Sequence, residues 1–243
     1  MSMSQKILSS SVGVAIYFFT AFNGLIAAPI VEKSGRFEIN WSSGMITFYG
    51  QSTLEPSDEA WRSAEQRAWT DGVTYLETDA PKALAAKWGA DAPAEAKLGN
   101  SLKLTRSLYT SYFGDKKIKV ILEAKLSEVM RGLTPPASAG TTLPANASGA
   151  VLIKLSSGSQ PSPVFSIVSE SGAVLLPAEN IKKTIIDGAT ISRWFKGQAT
   201  APEGTPTLSA TVKAPGVFQV ASADWKDEYA SAIANGKAFV VNP

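Results

Sequence analysis

From Phe37 the chain alternates apolar and polar residues, with Phe37, Ile39 and Trp41 on one side and Glu38 and Asn40 on the other. Ser42-Ser43-Gly44 makes a turn, and residues 45–51 then place Ile46 and Phe48 on one face and Met45, Thr47 and Tyr49 on the other. Two period-two segments around a short glycine-containing loop predict a β-hairpin. A helix is predicted directly after it. Ser57 suits the N-cap, because its hydroxyl can accept an unpaired N–H of the first turn, and Asp58 and Glu59 sit where the helix dipole favours acid. Trp61, Ala64, Ala68, Gly72 and Tyr75 or Leu76 recur at helical spacing, with Trp69 and Val73 beside them and Arg62, Glu65, Gln66 and Asp71 mainly opposite. A face of Ala and Gly lets a helix lie close on a sheet. Pro81 suits the first turn of a second, short helix. A second hairpin is predicted at 101–126. Leu102, Leu104 and Leu108 alternate with Lys103, Thr105 and Ser107, Gly114-Asp115 turns the chain, and Ile118, Val120, Leu122, Ala124 and Leu126 alternate with lysines and Glu123. The unit is ββ-α-ββ, an α+β arrangement with a helix packed on an antiparallel sheet.

Residues 132–148 hold Pro, Gly, Ser, Thr and Ala with no charge and no periodicity, which marks a linker. The domains expected are therefore 36–131 and 149–243. The second reads as a small, mostly β domain ending in a helix and a strand. Short strands are predicted in 149–155, 163–168, 173–176 and 207–213. Residues 178–196 read two ways, since Ile181, Ile185 and Ile186 have helical spacing while Gly188 and the Thr-Ile-Ser after it favour extended chain. Ser222 suits the cap of a last helix carrying Trp225, Tyr229, Ala232 and Ile233 on one stripe, and residues 237–241 close the chain as a strand.

Ahead of the first hairpin, Lys6 is the one charge before Glu32, and an apolar run follows from Ile7. A basic start, an apolar middle and small residues at the end predict an export leader over residues 1–28, with targeting character continuing to residue 35. The run from Val12 to Val31 also has the length of a bilayer span, so an uncleaved N-terminal anchor is the alternative. Either predicts an exported protein, periplasmic or outer-membrane-associated.

Composition narrows the chemistry. The chain has no Cys, so it forms no disulfide, thiolate metal site or cysteine nucleophile, and no His, the commonest general base and transition-metal ligand. A net charge of +2 argues against a nucleic-acid partner, which would call for a basic face. Phosphate-cradling glycine loops, serine acyl-transfer elbows and a calcium loop are all missing from the sequence. Asp224, Asp227 and Glu228 cluster in the first turns of a predicted helix, where dipole compensation accounts for them better than a metal does. No catalytic, cofactor or metal residue is assigned, although a carboxylate pair of the kind that cleaves glycosidic bonds stays open. Among six tryptophans, Trp61, Trp69 and Trp225 fall on predicted apolar stripes and read as core. Trp41 at the hairpin turn, and Trp88 and Trp194 beside basic residues, are the candidate surface-binding residues. Lys103, Lys117, Lys119 and Lys125 share the second hairpin and suit a solvated face.

The stretch N-W-S-S-G-M-I-T-F-Y-G (40–50), a short loop and A-E-Q-R-A-W-T-D-G-V-T-Y-L (64–76) resemble the start of a family of bacterial envelope proteins. That family is related to the small outer-membrane lipoproteins that include the flagellar proteins FlgP and, at its N-terminal domain, FlgT. The second hairpin continues the likeness, as do S-G-A-V-L-I-K-L (148–155), residues 163–175 and G-K-A-F-V-V (236–241). The family's lipid-bearing Cys is absent here, and Trp69 and Gly72 stand where smaller or stronger helix formers are usual. The resemblance implies a structural, non-enzymatic envelope protein that oligomerises, with other envelope or flagellar motor proteins as partners. It implies no cofactor, and membrane contact only through an uncleaved N-terminal segment. The alternative function is a periplasmic module binding peptidoglycan or another glycan through Trp41, Trp88 and Trp194.

Overall fold

The computed structural model describes residues 28–55, 61–80, 83, 84, 87, 105–132, 149–197 and 204–243. The first elements are β1 (Ala28–Pro29), β2 (Val31–Ser34), β3 (Phe37–Asn40), β4 (Met45–Thr53), α1 (Trp61–Thr78), β5 (Arg106–Tyr112), β6 (Lys117–Lys125) and α2 (Leu126–Gly132). Then come β7 (Val151–Leu155), β8 (Ser166–Val168), β9 (Val174–Leu176), α3 (Ala178–Ile186), β10 (Arg193–Lys196), β11 (Thr207–Ala214) and β12 (Val217–Val220). A 3-10 turn (Ser222–Asp224), α4 (Asp227–Ala234) and β13 (Ala238–Asn242) close the chain. The fold is α+β, with two sheets and a helix packed on a sheet as the periodicity predicts.

The first sheet is antiparallel, in the order β2-β3-β4-β6-β5. Its buried face follows the alternation of the sequence, with Phe37, Ile39, Ile46, Phe48, Ile118, Val120, Leu122 and Ala124 all enclosed. Helix α1 lays Ala64, Ala68, Gly72, Val73 and Leu76 on this face. The approach is close enough to require glycine on both sides. A Cβ on Gly50 would fall 1.7 Å from the Ala68 carbonyl oxygen, and one on Gly72 would fall 2.8 Å from the Gly50 nitrogen. Ser57, Asp58 and Glu59 lie outside the described residues, as do Leu102, Lys103 and Leu104 of the second hairpin. Of the short helix expected after Pro81, the described Ala83, Leu84 and Lys87 are helical.

The second sheet is mixed, in the order β1-β10-β13-β7-β11-β12-β8-β9. Its centre is parallel, from β10 through β13 and β7 to β11. Central strands such as β7 and β13 are buried almost throughout, as expected of parallel strands enclosed on both faces. Residues 178–196 satisfy both halves of their ambiguous pattern, as α3 and then β10.

Several expectations need correction. Ala28–Ser34, read as the tail of the leader, are strands: β1 pairs with β10 of the large sheet and β2 with β3 of the small one. The segment is tied down because both sheets offer it an open edge, which residue composition does not register. The remaining leader residues, 1–27, are outside the described residues. Helix α2 begins where the strand pattern of β6 ends, and it buries Leu126, Val129 and Met130 at helical spacing. Strand β12 is not among the strands the sequence predicts, although Phe218 and Val220 alternate inward after a Pro215-Gly216 turn. The last helix starts at Asp227 rather than after Ser222, because Trp225 is extended (φ −85°, ψ 139°) and separates it from the 3-10 turn. Beyond Gly132, the linker expected at 132–148 lies outside the described residues. Buried residues of both sheets form one contiguous hydrophobic cluster, running from Phe37 and Trp41 to Trp194 and Phe218.

Candidate functional site: a bare sheet edge

The tryptophans reverse the surface expectation. Trp41 and Trp194, chosen as surface residues, are each 0% exposed, whereas Trp61, assigned to the core, is 42% exposed. Trp88 lies outside the described residues. Trp41 ends the first hairpin strand against the large sheet, and its carbonyl accepts the Trp194 N–H at 3.1 Å. The Ser42 hydroxyl donates to the Trp194 carbonyl and accepts the Ile30 N–H at 2.9 Å. The Trp41 indole N–H donates to Glu32 at 3.1 Å, while Lys87 pairs with Glu32 at 2.8 Å and lies 5.3 Å from the Trp41 ring centre. Trp194 donates its indole N–H to the Ser162 carbonyl at 3.0 Å and packs edge-on against Phe165 and Phe218. The structure brings two of the three candidates together as the joint between the sheets, with their ring faces covered. Each sits beside polar residues in sequence, but the neighbour that matters comes from the other sheet.

A second cluster surrounds Arg36. Its guanidinium donates to the Tyr49 carbonyl at 2.8 and 3.1 Å, pairs with Asp71, and lies 4.8 Å from the Tyr75 ring centre. Partial burial acts to raise the Asp71 carboxyl, but the Arg36 side-chain bond, the Gln51 N–H at 2.8 Å and the Arg36 charge outweigh it and hold the group below its ordinary value. The cluster closes an edge. Beyond Tyr49, whose N–H donates to the Arg36 carbonyl at 3.2 Å, β4 pairs no further with β3 and α1 takes over. Asp71 accepts the Gln51 N–H, Ser52 donates to the Ala64 carbonyl, and Arg67 donates to the Thr53 carbonyl at 3.0 Å. A cavity of about 270 Å³ lies nearby, lined by Gln51, Phe113, Asp115, Lys117, Ile118 and Lys119. Its two cations are engaged within the chain, Lys117 with Asp115 at 2.5 Å and Lys119 over the Tyr49 ring at 3.8 Å. Asp227 and Glu228 occupy the first turn of α4, as a dipole role requires.

The four edge strands of the two sheets differ sharply. Strand β1 is two residues long and includes Pro29, β9 is three long, and β2 is four long and carries Glu32 and Lys33. Strand β5 has seven residues, and 107–113 contain no charge. Leu108, Tyr109, Tyr112 and Phe113 are between 40% and 55% exposed. Charged side chains, Pro, brevity and bulges are the usual means of blunting an edge, and β5 has only Arg106 at its start and a bulge between Ser107 and Tyr109. Trp61 extends the apolar surface, with its ring meeting Tyr112 edge-on at 5.2 Å. The Tyr112 hydroxyl donates to Glu65, and that hydrogen bond to a carboxylate, first among the causes, raises the phenol above its ordinary value. The sequence signal for this site is present but easily misread. The alternation that marks β5 as a strand does not tell an edge from a centre. Compared with family models and with curated proteins, the chain matches none.

Proposed function

We propose that this chain is a non-enzymatic structural subunit of the bacterial cell envelope that assembles through the β5 edge. One observation carries the reading: the seven-residue edge strand β5, uncharged after Arg106, presents Leu108, Tyr109 and Tyr112 to the outside, with Phe113 just beyond it and Trp61 flanking it. Unpaired backbone groups beside exposed apolar surface are an association template. The family resemblance and the apolar leader pattern support an exported location, periplasmic or outer-membrane-associated. They also support other envelope or flagellar motor proteins as further partners. For the glycan-binding alternative, Trp41 and Trp194 offer no accessible ring face, while Trp88 lies outside the described residues.

The test is the mass of the full chain extracted from its own envelope, by light scattering over a rising concentration series, with cell fractions probed in parallel. A defined multimer in the envelope fraction is the expected result. A strict monomer at high concentration without crosslinked partners overturns the assembly reading, and a cytoplasmic location overturns the envelope assignment.

A further inference from the structure

We infer that the occupant of the β5 edge is a second copy of the chain, seated antiparallel on β5 with a two-fold axis at Thr110. The inference rests on the assembly reading and gives it a geometry. The Phe113 N–H donates inward to the Lys117 carbonyl at 2.9 Å, and the ladder pairs Ser111 with Lys119 and Tyr109 with Ile121. Antiparallel alternation then turns the backbone groups of Thr110 and Tyr112 outward. Pairing Thr110 with its own copy lets both edges satisfy these groups at once. In that register Leu108 of each copy lies opposite Tyr112 of the other, and Tyr109 lies opposite Ser111.

Charge and topology favour this arrangement over the alternatives. Residues 107–113 carry no charge, so no like charges meet across the pair, and the flanking Arg106 and Asp115 are each already paired within their own chain, with Glu123 and Lys117. Pairing is limited by the bulge at Ser107–Tyr109 and the turn after Phe113. Head-to-tail addition would set β5 against β2 of the next copy. Across the antiparallel order β2-β3-β4-β6-β5 these two strands run the same way, so their pairing would be parallel, which is weaker per residue. The β2 edge is also shorter and bears Glu32 and Lys33, with Glu32 already held by Trp41 and Lys87. The isologous pair is closed, and it merges the two small sheets into one.

The chain contains no Cys, so single substitutions report pairing without background. Directly opposed residues in an antiparallel pair lie about 4.5 or 5.5 Å apart at Cα, within the roughly 4.4–6.8 Å that a disulfide spans. Full-length Thr110→Cys, oxidised mildly, is expected to give a covalent dimer, and Thr74→Cys on the exposed side of α1 is not. Tyr109→Cys mixed with Ser111→Cys is expected to crosslink, and either alone far less. Leu108→Lys is expected to weaken the dimer by about tenfold or more, the scale of losing one well-packed contact. A native multimer that crosslinks at neither Thr110 nor the 109–111 pair overturns this register and leaves assembly through another surface. A native chain that stays monomeric overturns both.

Discussion

The far end of β4, which runs past β3, and the outer edge of β5 belong to the same small sheet, yet the chain treats them in opposite ways. At the first, partners come from elsewhere in the fold: the Gln51 N–H goes to Asp71 and the Thr53 carbonyl takes Arg67, while just past the end of β3 the Trp41 carbonyl takes the Trp194 N–H. Helix α1 is pressed so closely over Gly50 that no side chain fits there. At the second, a strand uncharged after Arg106 and half-exposed aromatic rings face outward, with Trp61 and Glu65 holding Tyr112 in place. A fold that spends a helix, an Arg–Asp pair and a second sheet on one edge has the means to cover another. The difference is one of cover: among the described residues one edge is closed by the fold itself, and the other is the surface through which assembly is proposed.

The sharpest way to break the comparison is a pair of tryptophan substitutions. Trp41→Ala is expected to cost about 3–5 kcal/mol, because it opens a cavity in a closed core and leaves Glu32 without its indole donor. Trp61→Ala, on the bare edge, is expected to cost about 1 kcal/mol or less. Urea unfolding of both variants checks the contrast, and equal losses would show that the two regions do not differ as described. Gly50→Ala comes next. Its Cβ meets backbone rather than a flexible side chain, so a loss of about 3 kcal/mol, at the upper end for overpacking, is expected in the same assay.

Asp71 tests the covered edge by charge. Its folded pKa lies below the unfolded value, so the stability it contributes is present above the unfolded pKa and is lost as pH falls through the folded one. Its side chain is 41% exposed, so solvent screening limits the effect to about 1 kcal/mol or less. Asp71→Asn is expected to flatten that acid limb while Gln51 keeps an acceptor. An unchanged acid limb in Asp71→Asn, read by denaturant titration at several pH values, would remove the carboxylate from the account. Leu108→Lys should have the smallest effect on the fold, within about 0.5 kcal/mol, since the side chain is already partly in water. Its consequence is expected in the mass of the assembly instead, and a large loss of stability would place Leu108 in the core of the single chain.

Much of the architecture is legible in the residues. The alternation of Phe37, Ile39 and Trp41, of Ile46 and Phe48, and of Ile118 through Ala124 names the buried face of the small sheet residue by residue. The Ala64, Ala68 and Gly72 stripe indicates a helix in close contact, and Gly50 is what it contacts. Other signals were present but short: Phe218 and Val220 give β12 only two inward positions, and Val129 and Met130 give α2 barely one turn. The candidate site was not legible, because Leu108 and Tyr109 in β5 look like Leu122 and Ile121 in β6 until their neighbours are known.

What the sequence determined by itself is local. Period-two and helical spacing decide which backbone is extended or coiled and which side chains share a face, because those depend on φ, ψ and the residues a few positions away. The tertiary structure alone decided the order of strands, the capture of Ala28–Ser34 by two different sheets, and the burial of Trp41 and Trp194 beside the exposure of Trp61. Burial is a property of what packs across a face, and strands far apart in the chain supply it. The same cause leaves β5 without a second strand partner among the described residues: whether an edge is covered depends on where the rest of the chain goes.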